Sequence, residues 1–369
     1  MRTVDHALAP VLTDPAKVRA DDRPSGPGAT LAVSVIMPTR TWGGCFEICS
    51  RVALSRLDDP ADDRSEFLVV FDGSGDGAPP FLADSGCRLL ATGEQGGPAR
   101  ARNVGAAAAR GDVLLFVDSD VELAPDAIER VRSAFGQDPH LIALFGTYDD
   151  APACEGTVSQ FRNLLHHHTH VSHPGRAATF WSGCGAIRAA AFAGSGGFDE
   201  SFEHPSVEDI ELGMRMRAMG GRIELDPLLR CKHHKSWSLR SMVVTDVFQR
   251  ALPWTRLILE SGEVPATLNL DWGNRICGAA AVLAVMAFPA AAIWRRWEIL
   301  AGVPVLLSVM AWMNLDFYRL CRRRRGPAFA LASFGLHGLF YFYSTLTFAT
   351  VVATTTVRRS FSRIFGTRR

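Results

Sequence analysis

The sequence predicts an α/β fold, a mostly parallel sheet flanked by helices, followed by a C-terminal region of transmembrane helices. Three observations carry this expectation. Short apolar runs rich in β-branched residues alternate with helical stretches over the first half of the chain. One run, Val113 to Val117, is apolar without interruption, as in a strand buried on both faces of a parallel sheet. The last hundred or so residues concentrate the long apolar segments.

The chain has 369 residues, room for about two domains. Its formal net charge is +1, so no global charge points to nucleic acid. Eight cysteines occur without a C-x-x-C pair, and they read as reduced packing residues of a cytosolic domain. Residues 1–30 mix Asp, Pro, Arg and Ala with no apolar run of signal-peptide type, and read as a flexible tail.

From residue 31 the elements follow in order. V-S-V-I-M (33–37) is a strand closed by Pro38 and Thr39, and 46–57 is a helix. Residues 58–64 are a polar loop. E-F-L-V-V-F (66–71) is a second strand that stops on Asp72, and 88–91 is a short third one. Residues 98–110 are helical, with Pro at the first turn and a run of alanines. The 113–117 strand ends on Asp118-Ser119-Asp120, and a helix over 125–135 and a strand over 141–146 follow. Beyond 149 the pattern loosens: a helix at 158–168, a small-residue strand region at 180–187, a short helix to 192, and a helix at 207–219 before Gly220-Gly221. Residues 222–225 and 229–232 read as two short strands.

Strands that run parallel end together. Pro38-Thr39, Asp72, Asp118 and Asp120 therefore belong to one edge, where open α/β sheets bind ligands. Two carboxylates one residue apart repel each other. Either they form a polar turn, with Asp120 capping the next helix, or a divalent cation and a phosphate-bearing ligand relieve them. Five histidines at 166, 167, 168, 170 and 173 lie close together, without an acidic or cysteine partner at metal-site spacing, and read as a polar surface.

Residues 238–260 read as an amphipathic helix, with Trp237 just before it and Trp254 within its second half. It either lies in a membrane interface or packs on the domain. Apolar segments follow at 276–293, 299–313 and 328–355, with Trp294, Trp297, Trp312, Tyr341 and Tyr343 at interface-like positions. Arg322 to Arg325 read as an anchor on anionic lipid. Three crossings would put the basic tail opposite the catalytic domain, against the positive-inside tendency, and a re-entrant segment would return it. The expected division is 1–30 tail, 31–237 catalytic domain, 238–272 interfacial helix and linker, 273–356 membrane-embedded helices, and 357–369 basic tail.

V-S-V-I-M-P-T-R (33–40), L-V-V-F-D-G-S-G-D (68–76), G-P-A-R-A-R-N-V-G-A-A-A-A-R-G-D (97–112) and L-F-V-D-S-D (115–120), in this order and spacing, resemble the family 2 glycosyltransferases of GT-A fold. W-S-G-C-G-A-I-R (181–188), G-G-F-D-E (196–200) and V-E-D-I-E-L-G-M-R (207–215) resemble that family's acceptor-side segments. The resemblance covers residues 31–237. It implies an inverting transferase whose donor is a nucleotide-diphospho-sugar, a UDP- or GDP-sugar. Pro38 and Thr39 would line the nucleoside pocket, Asp72 would face base and ribose, and Arg102 and Asn103 would sit near the nucleotide. Asp120 would hold Mg2+ or Mn2+, while Asp118 would contact the ribose or support the metal. Asp209 matches the catalytic base, and Glu208 would orient the acceptor or its neighbour. Trp181 would stack on a sugar ring or fill the core, and Gly183 would allow close backbone approach. His233 or His234 would help hold the diphosphate or the metal.

Together these readings imply an enzyme at the cytoplasmic face of the cell (inner) membrane, multi-pass and in contact with membrane lipid. Its acceptor would be a lipid-linked or membrane-proximal glycan, as in cell envelope glycan biosynthesis. The alternatives are a processive polysaccharide synthase and a non-catalytic scaffold that keeps the fold. Gln249, Arg250 and Trp254 supply the residue types of the processive Q-x-x-R-W signature at another spacing. Asp118, Asp120 and Asp209 are all present, against the scaffold. A nucleotidyltransferase would want a lysine in the glycine-containing turn after the first strand, and 39–44 has none.

Overall fold

The computed structural model describes residues 31–57, 64–262 and 271–365. The tail over 1–30, most of the loop at 58–63, the linker over 263–270 and the end of the basic tail at 366–369 lie outside the described residues.

The strands are β1 (Val33–Thr39), β2 (Glu66–Phe71), β3 (Arg88–Ala91), β4 (Val113–Val117), β5 (Val121–Leu123), β6 (Leu141–Tyr148), β7 (Gly175–Arg176), β8 (Cys184–Arg188) and β9 (Arg222–His233). The helices of the domain are α1 (Phe46–Ser55), α2 (Pro80–Ala83), α3 (Gly97–Ala108), α4 (Ala127–Gln137), α5 (Thr157–Val171), α6 (Ala189–Ser195) and α7 (Glu208–Ala218). They are followed by α8 (Leu239–Val244), a π-helical turn (Thr245–Ala251), α9 (Leu252–Ser261), α10 (Trp272–Trp294), α11 (Gly302–Met313) and α12 (Leu315–Phe365).

One sheet runs in the order β3-β2-β1-β4-β8-β6-β9-β5, with β7 on β9. The first four strands pair parallel, as does β6 with β9. The pairings β4–β8, β6–β8, β5–β9 and β7–β9 are antiparallel. The first half of the sheet is parallel, as expected, and the antiparallel pairs come from its second half. There β8 enters antiparallel beside β4, which no period-two pattern in the sequence encodes.

Side-chain alternation in β4 builds two cores. Val113, Leu115 and Val117 pack under α1 and α4, and Leu114 and Phe116 pack under α3, α6 and α7. Burying Phe116, which is fully enclosed, contributes about 2–3 kcal/mol. The expected pair of strands at 222–225 and 229–232 is one long strand. Its register slips between Phe145 and Thr147 of β6, where Pro227 supplies no N–H to the ladder. Gly146 permits the slip, since a Cβ there would lie 2.0 Å from the Leu229 carbonyl oxygen.

The histidine-rich stretch is not a polar surface. His167 and His170 are buried, and their Nδ1–H groups donate to the carbonyls of Tyr148 (2.7 Å) and Gly146 (2.9 Å). The physical reason is that α5 lies between β6 and α12, and Phe161, Leu164 and Leu165 pack against Phe317 and Cys321. The 238–260 segment is not one continuous α-helix either. A π turn over Thr245–Ala251 separates α8 from α9, and within α8 Leu239 is exposed while Met242 is fully buried.

Helix α10 (23 residues) and the Leu315–Arg358 part of α12 are long and apolar enough to cross a bilayer; α11 is shorter. A left-handed Gly326 (φ 84°) kinks α12 just before Pro327. Two of the four arginines before the kink turn onto the domain: Arg324 pairs with Asp150, and Arg325 Nε donates to Gln160 Oε1 at 3.1 Å. The arginine block is thus in part a protein contact.

Candidate active site

Topology gathers the site. β1, β2 and β4 run parallel and end on Thr39, Asp72 and Asp118. β8 runs against β4, so Trp181 to Gly183 reach the same edge before it begins. β6 and β9 run with β4 and deliver Tyr148 and His233 there. The short β5, pairing Val121 with His233, holds Asp120 beside that histidine.

The centre is Arg102 of α3. Its buried guanidinium donates through Nη1 to Glu208 Oε1 (2.9 Å) and through Nη2 to Asp118 Oδ1 (2.7 Å). Burial works against the charge, but Asp118 and Glu208 outweigh it and raise the guanidinium pKa above its ordinary value. Glu208 is buried as well, and its Oε2 accepts from the Ser206 N–H at 2.8 Å. One cation thereby locks the end of β4 to the start of α7.

Asp209 follows, half-buried at the N-terminus of α7. Its Oδ2 accepts from the Ser182 N–H (3.0 Å) and Oγ–H (3.2 Å). Burial, then the charge of Glu208, push its carboxyl up to about 6, against the Ser182 bond and Arg102. A carboxylate tuned close to neutrality is what a general base needs.

Asp120 differs. Burial pushes its carboxyl up, yet His233, and after it Lys235, hold it below the usual carboxylate range. Its Oδ2 faces His233 Nε2 at 3.7 Å, longer than a hydrogen bond. The two ligands of one cation sit about 3 Å apart, so this gap is near that size. Among the described residues no group of three or more His, Cys, Asp or Glu side chains is placed to hold a metal ion. A cation held by one or two protein groups, with phosphate oxygens and water completing its shell, suits Mg2+. The donors present fit that arrangement.

Behind His233 lies an aromatic wall. The Tyr148 ring stacks on His233 (4.2 Å between centroids, 8° between planes) and meets the Trp181 edge at 5.0 Å. His166 packs against Tyr148 and Trp181, and burial, then His170, hold its imidazole well below its ordinary pKa, so it is neutral. Gly183 lies flat against Trp181: a Cβ there would come within 2.5 Å of the indole.

The remaining candidates are committed to local structure. Asp72 is buried and accepts from the N–H groups of Gly96 (2.8 Å) and Gly97 (3.1 Å) at the start of α3. Thr39 Oγ1 donates to the Thr41 carbonyl at 2.7 Å, and Pro38 pairs with Val70 inside the sheet. Asn103 turns away from Asp118: its amide brackets Phe198, accepting from its N–H and donating to its carbonyl, both at 2.9 Å. Glu200 takes a further bond from the same amide. Tyr148 and Ser182 were not singled out individually from the sequence. Tyr148 closes an apolar strand run, and Ser182 lies inside the W-S-G-C motif, so each had a signal.

With this geometry in view, residues 34–193 match the family model described as Glycosyl transferase family 2. The chain carries a family 2 glycosyltransferase domain. It is 27% identical over 264 residues to the pre-mycofactocin glycosyltransferase of Mycobacterium tuberculosis, covering 66% of this chain and 51% of that protein. The chain thus spans about half the length of that curated relative. It is also 27% identical over 198 residues to the inactive polypeptide N-acetylgalactosaminyltransferase-like protein 5 of Macaca fascicularis, covering 49% of this chain and 42% of that one. Similarity at this level thus includes a protein named inactive. Among solved structures, a mannosyltransferase from Pyrobaculum calidifontis in complex with GDP-Man and Mn2+ matches at a TM-score of 0.49 and 16% identity. That match covers 96% of this chain and 92% of the other, a likeness too distant to argue from. The expected fold, a GT-A-type α/β domain followed by long apolar helices, is the one observed.

Proposed function

We propose that the chain is an inverting glycosyltransferase that moves a sugar from a UDP- or GDP-sugar to a hydroxyl of a lipid-linked or membrane-proximal acceptor. The observation that carries this is the single edge on which Arg102 ties Asp118 and Glu208 together beside Asp209, whose carboxyl titrates at about 6.

In this reading the donor lies along the ends of β1, β2 and β4. Asp120 and His233 would hold Mg2+ or Mn2+, which when bound supplies positive charge to the diphosphate leaving group. Asp118, fixed by Arg102, contacts the ribose or the metal's shell. Asp72, spent on the start of α3, shapes the pocket for base and ribose through the Gly96–Gly97 backbone. Thr39 and Pro38 form its floor.

Asp209 is about nine-tenths ionised at pH 7, given a pKa of about 6. It accepts the acceptor's hydroxyl proton as that oxygen attacks the anomeric carbon. The bond to the nucleoside diphosphate breaks on the opposite side, which inverts the centre. Ser182 aims the carboxylate, and Trp181 offers an aromatic face to a sugar ring.

Two features support an acceptor at a membrane. Helices α10 and α12 have the length and composition of spans. Trp272, Trp294, Trp297 and Trp312 are each at least 65% exposed near helix ends, where tryptophans of an interfacial belt sit. A cytoplasmic catalytic face belongs to the same proposal. The test is turnover: detergent-purified protein should release UDP or GDP from one of a panel of nucleotide-sugars, with Mn2+ or Mg2+ and not with EDTA.

A further inference from the structure

The π-helical turn Thr245–Ala251 is unexplained by packing alone. π turns inside α-helices are frequent at functional sites. Here its anchor is visible. Asp246, 2% exposed, pairs with Arg162 of α5 (2.8 Å) and receives the Tyr343 hydroxyl of α12 (2.5 Å). Arg250, one turn on, lies 3.6 Å from the same carboxylate and is half exposed. A buried carboxylate is costly unless paired: Arg162 and Arg250 balance the charge at Oδ1, which takes no hydrogen bond, and the Tyr343 hydroxyl satisfies Oδ2.

The turn also touches the site. The Ser206 hydroxyl donates to the Gln249 carbonyl at 3.1 Å. The Ser206 N–H donates to Glu208, and Glu208 accepts from Arg102, which holds Asp118. An unbroken series of contacts therefore runs from Tyr343, on a helix with the composition of a membrane span, to the Asp209 side of the catalytic edge. Asp209 is also among the charges that the Arg250 guanidinium feels.

We propose that Asp246 is a positioning residue: anchored to Arg162 and to Tyr343 of α12, it fixes the π turn whose Gln249 carbonyl braces the loop that sets Glu208 and Asp209. Seating of the apolar helix on the domain thereby sets the acceptor-side geometry, whereas the donor side, built on β1 to β4 and α3, stands without it. The kinetic arm of the test rests on the glycosyl-transfer reading; the exchange arm does not.

The experiment uses the full chain in detergent, as wild type, Tyr343→Phe and Asp246→Asn. Hydrogen–deuterium exchange without substrate should accelerate on the order of tenfold over 245–251 and 203–212 in both variants, with 113–117 unchanged. Kinetically, kcat for transfer should fall about tenfold while the donor KM stays within twofold. Tyr343→Phe removes one hydroxyl and no charge, so it serves where Asp246→Asn fails to fold. Exchange that is unchanged at 203–212 overturns the proposal. So does acceleration spread evenly over 113–117 as well, the mark of a general loss of stability. If exchange behaves as expected and no nucleotide-sugar is turned over by wild type, the positioning role stands and the transferase reading falls.

Discussion

Asp209→Asn separates chemistry from stability more sharply than any other change. In the folded chain the carboxyl is raised from 3.8 to about 6, first by burial and then by Glu208. The native state therefore binds this proton more tightly than the unfolded chain. The stability cost is absent below pH 3.8, grows as pH rises toward 6, and is constant above. Its ceiling is about 3 kcal/mol, at about 1.4 kcal/mol per pH unit. Asparagine carries no charge and keeps an oxygen for the Ser182 N–H and hydroxyl. The variant should thus be more stable than wild type at pH 7.5, by up to about 3 kcal/mol, with most of that difference gone at pH 4. Turnover should move the other way: losing a general base costs about 10²- to 10⁴-fold, or about 3–5 kcal/mol of barrier. Wild-type kcat/KM should fall about tenfold per pH unit below 6, and the residual rate of the variant should lack that limb. Urea melts at both pH values and pH–rate profiles on the better donor form the assay. Turnover of Asp209→Asn within tenfold of wild type, or an acid limb that survives the substitution, would exclude Asp209 as the base.

Further expectations follow from neighbouring groups. Asp120→Asn should cut metal-dependent affinity for a nucleoside diphosphate at least tenfold in calorimetry, and should lower the melting temperature at pH 7, since His233 and Lys235 favour the charged carboxylate in the fold. Arg102→Met should be destabilising by about 3–5 kcal/mol in urea unfolding, because it leaves the buried Glu208 without its partner. Gly183→Ala should cost about 1–3 kcal/mol in thermal or urea melts and raise the acceptor KM, since its Cβ would force the Trp181 indole to move.

The candidate edge was legible where a local pattern encodes it. The uninterrupted run Val113–Val117 stopping on two aspartates placed β4 and its carboxylates, and parallel pairing placed Asp72 and Thr39 beside them. What the sequence hid depends on partners distant along the chain. β5 is three residues long and exists because β9 pairs with it; without it Asp120 and His233 would not face each other. The histidines at 167 and 170 look polar in sequence and are buried because α5 is covered by α12. The break at Thr245 has no local signal, for it follows from a carboxylate that finds Arg162 and Tyr343 in the fold. Asn103 shows the limit of motif reading: it lies one residue from Arg102, yet its amide secures the turn at Phe198.

Under the proposed function, this edge breaks the bond between a sugar and a nucleoside diphosphate. The direct measurement is release of UDP or GDP by the detergent-purified chain across a panel of UDP- and GDP-sugars, with Mn2+ or with EDTA, beside the Asp120→Asn variant. Release from at least one donor is expected with Mn2+, with loss in EDTA and loss in the variant. Folded protein that binds and cleaves none of these donors with Mn2+ would contradict it.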